Sequence, residues 1–397
     1  MTIRSAAQES IESFKKSPLS SEEIARIKHE IDTKTTGPSN LKLLDVEVGV
    51  DSNYIFNTLP KESSDALFPD FLPTWDPFEK YEPLEEFKHE DPGHKADPYL
   101  QNLFPKTNQS LQKTDLTPNF GSEIDGLQLS SLSPRAKDDL ALYVAQRGVV
   151  IFRNQDLASK GPQFATEFGK YFGPLHIHPT SGAPKDAPAL HLVYRPKTTD
   201  PPSKKRFAKH TNGLFWHTDI TYEKQPAGTT FLAYLEGPEN GAGSTIYVDQ
   251  VQAYKRLSPE FQSILEKLSA LHKRLEPIYD ETNGEPFFIR REGYDGYVHP
   301  LVRKHPVTGE KSLFINQLLT LEIVGLKKQE SDAILNFLYD HLKSSVDLQI
   351  KTTYKPGTVV VFDNRVVGHT WVFDWDDSKP SRRHLFRITP RAEVPSL

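Results

Sequence analysis

The sequence predicts a mainly β protein with flanking helices, folded as a two-sheet jelly roll. Three observations point there. Short runs of β-branched and aromatic residues, separated by turn residues, crowd the chain after about residue 113. The helical patterns gather toward the front of that region, where they can cover a sheet. No internal repeat, G-x-G-x-x-G or P-loop is present.

Residues 1 to 112 are polar and interrupted by proline, as in FPDFLPTWDPFEKYEPLEEF, with one helix-like piece near Ser20 to Thr33. We expect an N-terminal proline-rich arm over 1–112 and the jelly-roll domain over 113–397. LTPNFGSEIDGLQLSSLS alternates like an opening strand with turns. Ser133 as N-cap, Pro134 at the first helical position and Gly148 just past the end bracket a helix, PRAKDDLALYVAQR. GVVIFRN follows as a buried strand. Helical periodicity recurs in GPQFATEFGKYF, in QVQAYKRLSPEFQSILEKLSALH and in KKQESDAILNFLYDHLKSS. The remaining strands are AGTTFLAYLEG, STIYVD, SLFIN, TVVVFDN, GHTWVFDW and RHLFRITP.

Composition excludes several functions. With 397 residues, 37% hydrophobic, the chain can bury a sizeable core. A formal net charge of −5 lacks the basic surface of a duplex binder, so nucleic acid is not an expected partner. No apolar run approaches the roughly 18 residues that span a bilayer, and the N-terminus lacks the apolar core of a secretory signal. The chain reads as soluble and cytoplasmic, without a membrane partner. Pro395-Ser396-Leu397 lacks the central basic residue of a peroxisomal S-K-L address. Zero cysteines leave only His, Asp or Glu to hold a metal.

In GLFWHTDITYE, His217 and Asp219 stand two apart in what reads as a strand, so both side chains leave one face. Far downstream, VVVFDNRVVGHTW places His369 just after an apolar strand. Two histidines and a carboxylate form the facial triad of non-haem Fe(II) oxygenases, which leaves the opposite coordination face open. Arg383 and Arg387, four apart on an apparent strand, share a face with Leu385. Two inward guanidiniums call for anions, and two anionic ligands are the natural reading. Taken singly, His369 also reads as a packed core histidine and the arginines as surface ion pairs.

These residues resemble the taurine/2,4-dichlorophenoxyacetate dioxygenase family of Fe(II)/2-oxoglutarate enzymes, closest to its fungal sulfonate dioxygenases. The resemblance runs from about Leu116 to Arg391 and includes FGPLHIHP, WHTDITYE, GAGSTIYVD, HPLVRKHPVTGEKSLFIN, VVFDNRVVGHT and RHLFRITP. It implies a cupin-like double-stranded β-helix, with His217, Asp219 and His369 as ligands of Fe(II). It further implies that Thr245 and Arg383 hold the distal carboxylate of the co-substrate 2-oxoglutarate, with Arg382 as the rival arginine. His178, Asn212 and Arg387 would line the substrate pocket, although His178 reads equally well as a packed histidine and the register at Asn212 is one residue from the family's. Ser181 and Leu319 stand where the taurine enzymes carry aromatic residues, so the pocket is altered and a longer or more apolar sulfonate fits the pattern.

The implied reaction hydroxylates the carbon next to sulfur of a taurine-like sulfonate, consuming O₂ and releasing sulfite and an aldehyde with succinate and CO₂. Alternatives are the same chemistry on an alkyl sulfate or another small organic acid, or a silent acid-binding module that keeps only the fold. Self-association into a homo-oligomer is expected from the family habit.

Overall fold

The computed structural model describes residues 44–48, 54–58, 64–74, 81–179, 181–195, 207, 211, 215–238, 241–273, 291, 296–374 and 381–397. The helix expected near Ser20 to Thr33 lies outside the described residues. The described strands are β1 (Leu44–Val48), β2 (Tyr54–Thr58), β3 (Gln112–Asp115), β4 (Ser122–Asp125), β5 (Val149–Phe152), β6 (Leu190–Arg195), β7 (Thr229–Glu236) and β8 (Thr245–Asp249). They continue as β9 (Ser269–His272), β10 (Tyr297–Pro300), β11 (Val302–Lys304), β12 (Lys311–Leu313), β13 (Thr320–Ile323), β14 (Gln349–Thr352), β15 (Val359–Asp363), β16 (Val367–Trp371) and β17 (Arg383–Ile388). The described α-helices are α1 (Pro134–Arg147), α2 (Gly161–Lys170), α3 (Gln250–Lys255), α4 (Pro259–Leu265) and α5 (Lys328–Ser344).

A seven-stranded sheet, ordered β3-β4-β5-β15-β7-β17-β6, and a three-stranded sheet, β14-β8-β16, form the jelly roll. Burial explains the sequence texture of the large sheet. In β15, Val359 and Val361 pack with Leu140, Val144 and Phe168 of the helices, while Val360 and Phe362 pack inward with Tyr247 and Val367. Both faces are covered, so the strand reads as an unbroken apolar run. Phe71, Leu72 and Leu103, from the proline-rich region, belong to the same outer core.

Helix α1 has the expected limits, with the Ser133 hydroxyl accepting from Ala136 N at 3.2 Å. Gly148 adopts φ +72°, and a Cβ there would lie 2.5 Å from the Phe120 ring, so both backbone and packing require glycine. The long helical pattern from Gln250 to His272 resolves into α3, α4 and β9, because Ser258 and Pro259 stop one helix and cap the next. SLFIN yields a strand only through Leu313.

A buried ionic knot fixes the β15–β16 connection. Arg365, fully buried, donates Nε and Nη2 to Asp363 at 2.8 and 2.7 Å and Nη1 to Asp91 at 2.5 Å, while His305 meets Asp363 at 3.0 Å. Breaking such a pair strands a buried charge, at a cost of about 3–5 kcal/mol. The knot therefore clamps the segment around Asp91 against the turn that carries Asn364.

Candidate active site

The two histidines meet because the backbone pairs them. His217 N donates to His369 O at 2.9 Å and His369 N returns a bond to His217 O at 2.8 Å. Residues directly opposed in an antiparallel bridge put their side chains on the same face, and the imidazole centroids lie 4.2 Å apart. The strand expected through WHTDITYE is limited to this one bridge. A turn follows at once, with Ile220 at φ +47°. Asp219 thus reaches the histidines from a turn, where its backbone N–H is held by Asn364 Oδ1 at 2.9 Å.

His217 Nδ1 lies 2.8 Å from the Phe215 carbonyl, which can only accept, so the proton sits on Nδ1 and Nε2 carries the free lone pair. The Nε2 atoms of His217 and His369 stand 4.0 and 3.7 Å from Asp219 Oδ1, too far for hydrogen bonds and suited to sharing one ion. One donor atom from each of the three residues lies within 4.8 Å of the others. Burial, reinforced by the charge on His217, pushes the His369 imidazole down to about 3. Burial also lowers His217, against an opposing pull from Asp219. For Asp219 burial acts to raise the value, but Arg387 and the two histidines outweigh it and hold the carboxyl at about 2. At neutral pH the trio is two neutral imidazoles and one carboxylate, the donor set of a divalent transition metal.

Strand β17 sorts the arginines by alternation. Phe386 and Ile388 face the outer core, with His384 bonding Phe71 O at 2.9 Å and Arg382 paired to Glu236 and Asp65. Arg383, Leu385 and Arg387 face the space between the sheets. Arg387 donates Nη1 to Asp219 Oδ1 and Nε to Thr389 Oγ1 at 3.1 Å. The inward arginines expected to lack protein anions therefore differ, since Arg387 rests on the triad carboxylate.

Arg383 donates Nη2 to Gly243 O at 2.9 Å, and its buried Nε has no hydrogen-bond partner among the described residues. Burial lowers its pKa, opposed by the nearby phenols of Tyr354, Tyr234 and Tyr247 and by Asp374. The Thr245 and Tyr354 hydroxyls are 2.7 Å apart. Tyr247 shares a face of β8 with Thr245, its ring 5.8 Å from His369, and its buried hydroxyl forms no well-aligned hydrogen bond among the described residues. From the histidines to Arg383 runs a lane of buried donors whose far end holds an unsatisfied cation.

His178 is partly buried, its ring 4.4 Å from that of His191. Asn212 lies outside the described residues. Sequence reasoning missed His191, Tyr247, Tyr354 and Asn364. The alternation in LHLVYR could have found the first, because Leu190, Leu192 and Tyr194 take the outer core and leave His191 inward. No local pattern marks Asn364, which acts through a residue 145 positions away.

The family model described as "Taurine catabolism dioxygenase TauD, TfdA family" matches residues 112–389. The chain is 46% identical over 335 residues to an alpha-ketoglutarate-dependent sulfonate dioxygenase of Saccharomyces cerevisiae, covering 83% of this chain and 79% of the relative. It is 41% identical over 336 residues to the alpha-ketoglutarate-dependent dioxygenase cnsM of Penicillium expansum, covering 84% and 92%. A crystal structure of a taurine dioxygenase from Burkholderia xenovorans superposes with a TM-score of 0.57 at 26% identity, covering 72% of this chain and 91% of that one.

Proposed function

The chain belongs to the taurine catabolism dioxygenase TauD, TfdA family, and from that premise we propose that it hydroxylates the carbon next to sulfur of an organosulfonate. It is a dioxygenase that uses Fe(II) and 2-oxoglutarate. The single observation that carries the reading is the convergence of His217, Asp219 and His369 beside two inward arginines, one of them with an unsatisfied buried nitrogen. The bound metal and keto acid supply the activation of O₂, one oxygen atom ending in succinate and the other on the substrate carbon.

The protein's own residues do the rest. His217, Asp219 and His369 hold the iron, with Phe215 O fixing the His217 tautomer. Arg383 and Thr245 hold the distal carboxylate of 2-oxoglutarate, and Tyr354 orients the Thr245 hydroxyl. Arg387 takes the sulfonate, with His178 beside it. Arg387 Nη1 donates to Asp219 Oδ1, which places its guanidinium beside the residues that would hold the iron, where it can meet the substrate anion. The hydroxylated carbon then expels sulfite and becomes an aldehyde. Ser181 and Leu319, in place of aromatic residues, widen the pocket for a longer or more apolar chain.

No described helix is long and apolar enough to cross a membrane. We place the enzyme in the cytoplasm as a homo-oligomer that acts on a small anion and binds neither nucleic acid nor membrane. The test is succinate and sulfite formation across a panel of sulfonates. Sulfite in step with succinate is the expected result, while succinate without sulfite from any sulfonate would move the substrate to an alkyl sulfate or another acid.

A further inference from the structure

The proline-rich motif that the chemistry leaves unassigned ends at Phe87, in PLEEF. Residues 82–91 form neither helix nor strand, so their backbone groups must find partners on side chains. The half-buried Phe87 finds both on one residue. Its N–H donates to Gln225 Oε1 at 3.0 Å, and its carbonyl accepts from Gln225 Nε2 at 2.9 Å. The same Nε2 donates to Ala392 O at 2.9 Å, so one buried amide joins the arm to the C-terminal segment. Arg391 grips the arm from that segment, donating Nη1 to Glu85 O at 3.1 Å and placing its guanidinium over the Phe87 ring, 4.9 Å from the ring centre.

Gln225 closes the turn that opens at Asp219. Asn316 and His299 hold the middle of that turn, the first through the Thr221 hydroxyl at 3.2 Å and the second through the carbonyls of Thr221 and Glu223, at 3.0 Å each. Both ends lead to the arm. At one end Asn364 holds the Asp219 amide, and its chain neighbour Arg365 donates to Asp91 at 2.5 Å. At the other end Gln225 holds Phe87. A stretch of arm that spans at most about 14 Å, from Phe87 to Asp91, therefore ties together both ends of the segment that carries the metal carboxylate. We infer that residues 85–91 of the arm are a positioning element of the metal site, latched through Gln225, and that the site holds its metal tightly only with the latch engaged. This rests on the iron site described above. Gln225 touches neither metal nor substrate and acts through the turn, so its loss should weaken the metal as loss of any outer partner of a ligand does. Coupling between two binding events is reciprocal, so the metal must tighten the arm by the factor with which the arm tightens the metal.

The experiment follows amide hydrogen exchange of the unaltered protein by mass spectrometry, under anaerobic conditions, metal-free and with saturating Fe(II). The amides of 85–91 should exchange roughly 10- to 100-fold more slowly with iron bound. The amides of Asn102 and Leu103, which the Asp139 carboxylate of α1 holds at 2.9 and 3.1 Å, belong to another part of the arm and should change less than about twofold. Equal slowing of both stretches, or none at 85–91, would overturn the latch. Gln225→Leu keeps the bulk of the side chain and removes all three of its bonds. It should bind Fe(II) roughly 10- to 100-fold more weakly and lose the slowing at 85–91; wild-type affinity in this variant would also overturn the assignment. If Gln225→Leu does not fold, the exchange of the wild-type protein decides alone. If the wild-type protein binds no Fe(II), the iron site falls first and the latch falls with it.

Discussion

Asn364 is the least conspicuous residue of the site in sequence and one of the most constrained in structure. It is fully buried. Its Oδ1 accepts the Asp219 N–H at 2.9 Å, and its Nδ2 donates to Thr230 Oγ1 at 2.8 Å while standing 3.5 Å from Asp219 Oδ2. Asn364→Ala leaves the Asp219 amide buried without that partner, while the Thr230 hydroxyl keeps its bond to Gly228 O at 3.2 Å. At about 1–3 kcal/mol for a stranded buried group, the folded state loses roughly 1–3 kcal/mol. Asp219 also loses the bond that sets its position in a turn, and removal of such an outer partner costs about 10- to 100-fold in metal affinity. The assay is anaerobic Fe(II) titration read by tryptophan fluorescence, since the Trp371 ring lies 5.4 Å from His217, alongside thermal unfolding of the metal-free protein. A variant that binds Fe(II) within twofold of wild type would refute the claim that this amide positions the carboxylate.

The same logic separates the adjacent arginines. Arg383→Gln removes a buried charge partner and should weaken 2-oxoglutarate binding by about 30-fold or more, from a loss of roughly 2–5 kcal/mol; Arg382→Gln should lower stability and leave 2-oxoglutarate binding near wild type. Equal effects of the two on co-substrate affinity would contradict the alternation of β17. The pH profile follows from buried histidines. Burial pushes His176, His299 and His384 each down to about 4, so between pH 6.5 and 4 the unfolded chain takes up protons that the folded chain refuses. Stability from these groups is therefore fully present above about pH 6.5 and falls as pH drops toward 4, with a slope of up to about 1.4 kcal/mol per pH unit for each. Melting of the metal-free protein between pH 7 and 5 should show this decline, and a flat melting temperature would contradict it.

Much of the fold was legible because both sheet faces are buried and the caps are local. Ser133 and Gly148 marked α1 at both ends, and the apolar run of β15 announced a covered strand. The pattern from Gln250 misled because a 3.6-residue periodicity continues across a Ser-Pro break into β9, and tertiary pairing with β10 and β13 decides that last segment. The metal residues were legible as residue types, yet the cause of their convergence was misread. His217 and Asp219 are joined by a turn, with Ile220 in the left-handed region, rather than by strand alternation. What brings the histidines together is a backbone bridge across 152 positions, which no local window contains. Tyr354 and Asn364 share that property, since each contacts a residue more than 100 positions away.

The account stands on a ferrous ion shared by His217, Asp219 and His369. Its most direct test is anaerobic addition of Fe(II) and then 2-oxoglutarate to wild type, His369→Ala and Arg387→Ala, followed in the visible range. A weak charge-transfer band should form in wild type, persist at reduced intensity in Arg387→Ala, which loses the hydrogen bond to Asp219 but none of the three ligands, and vanish in His369→Ala. A band of unchanged intensity in His369→Ala, or none in wild type, would show that the iron is not held where the backbone bridge brings these side chains together.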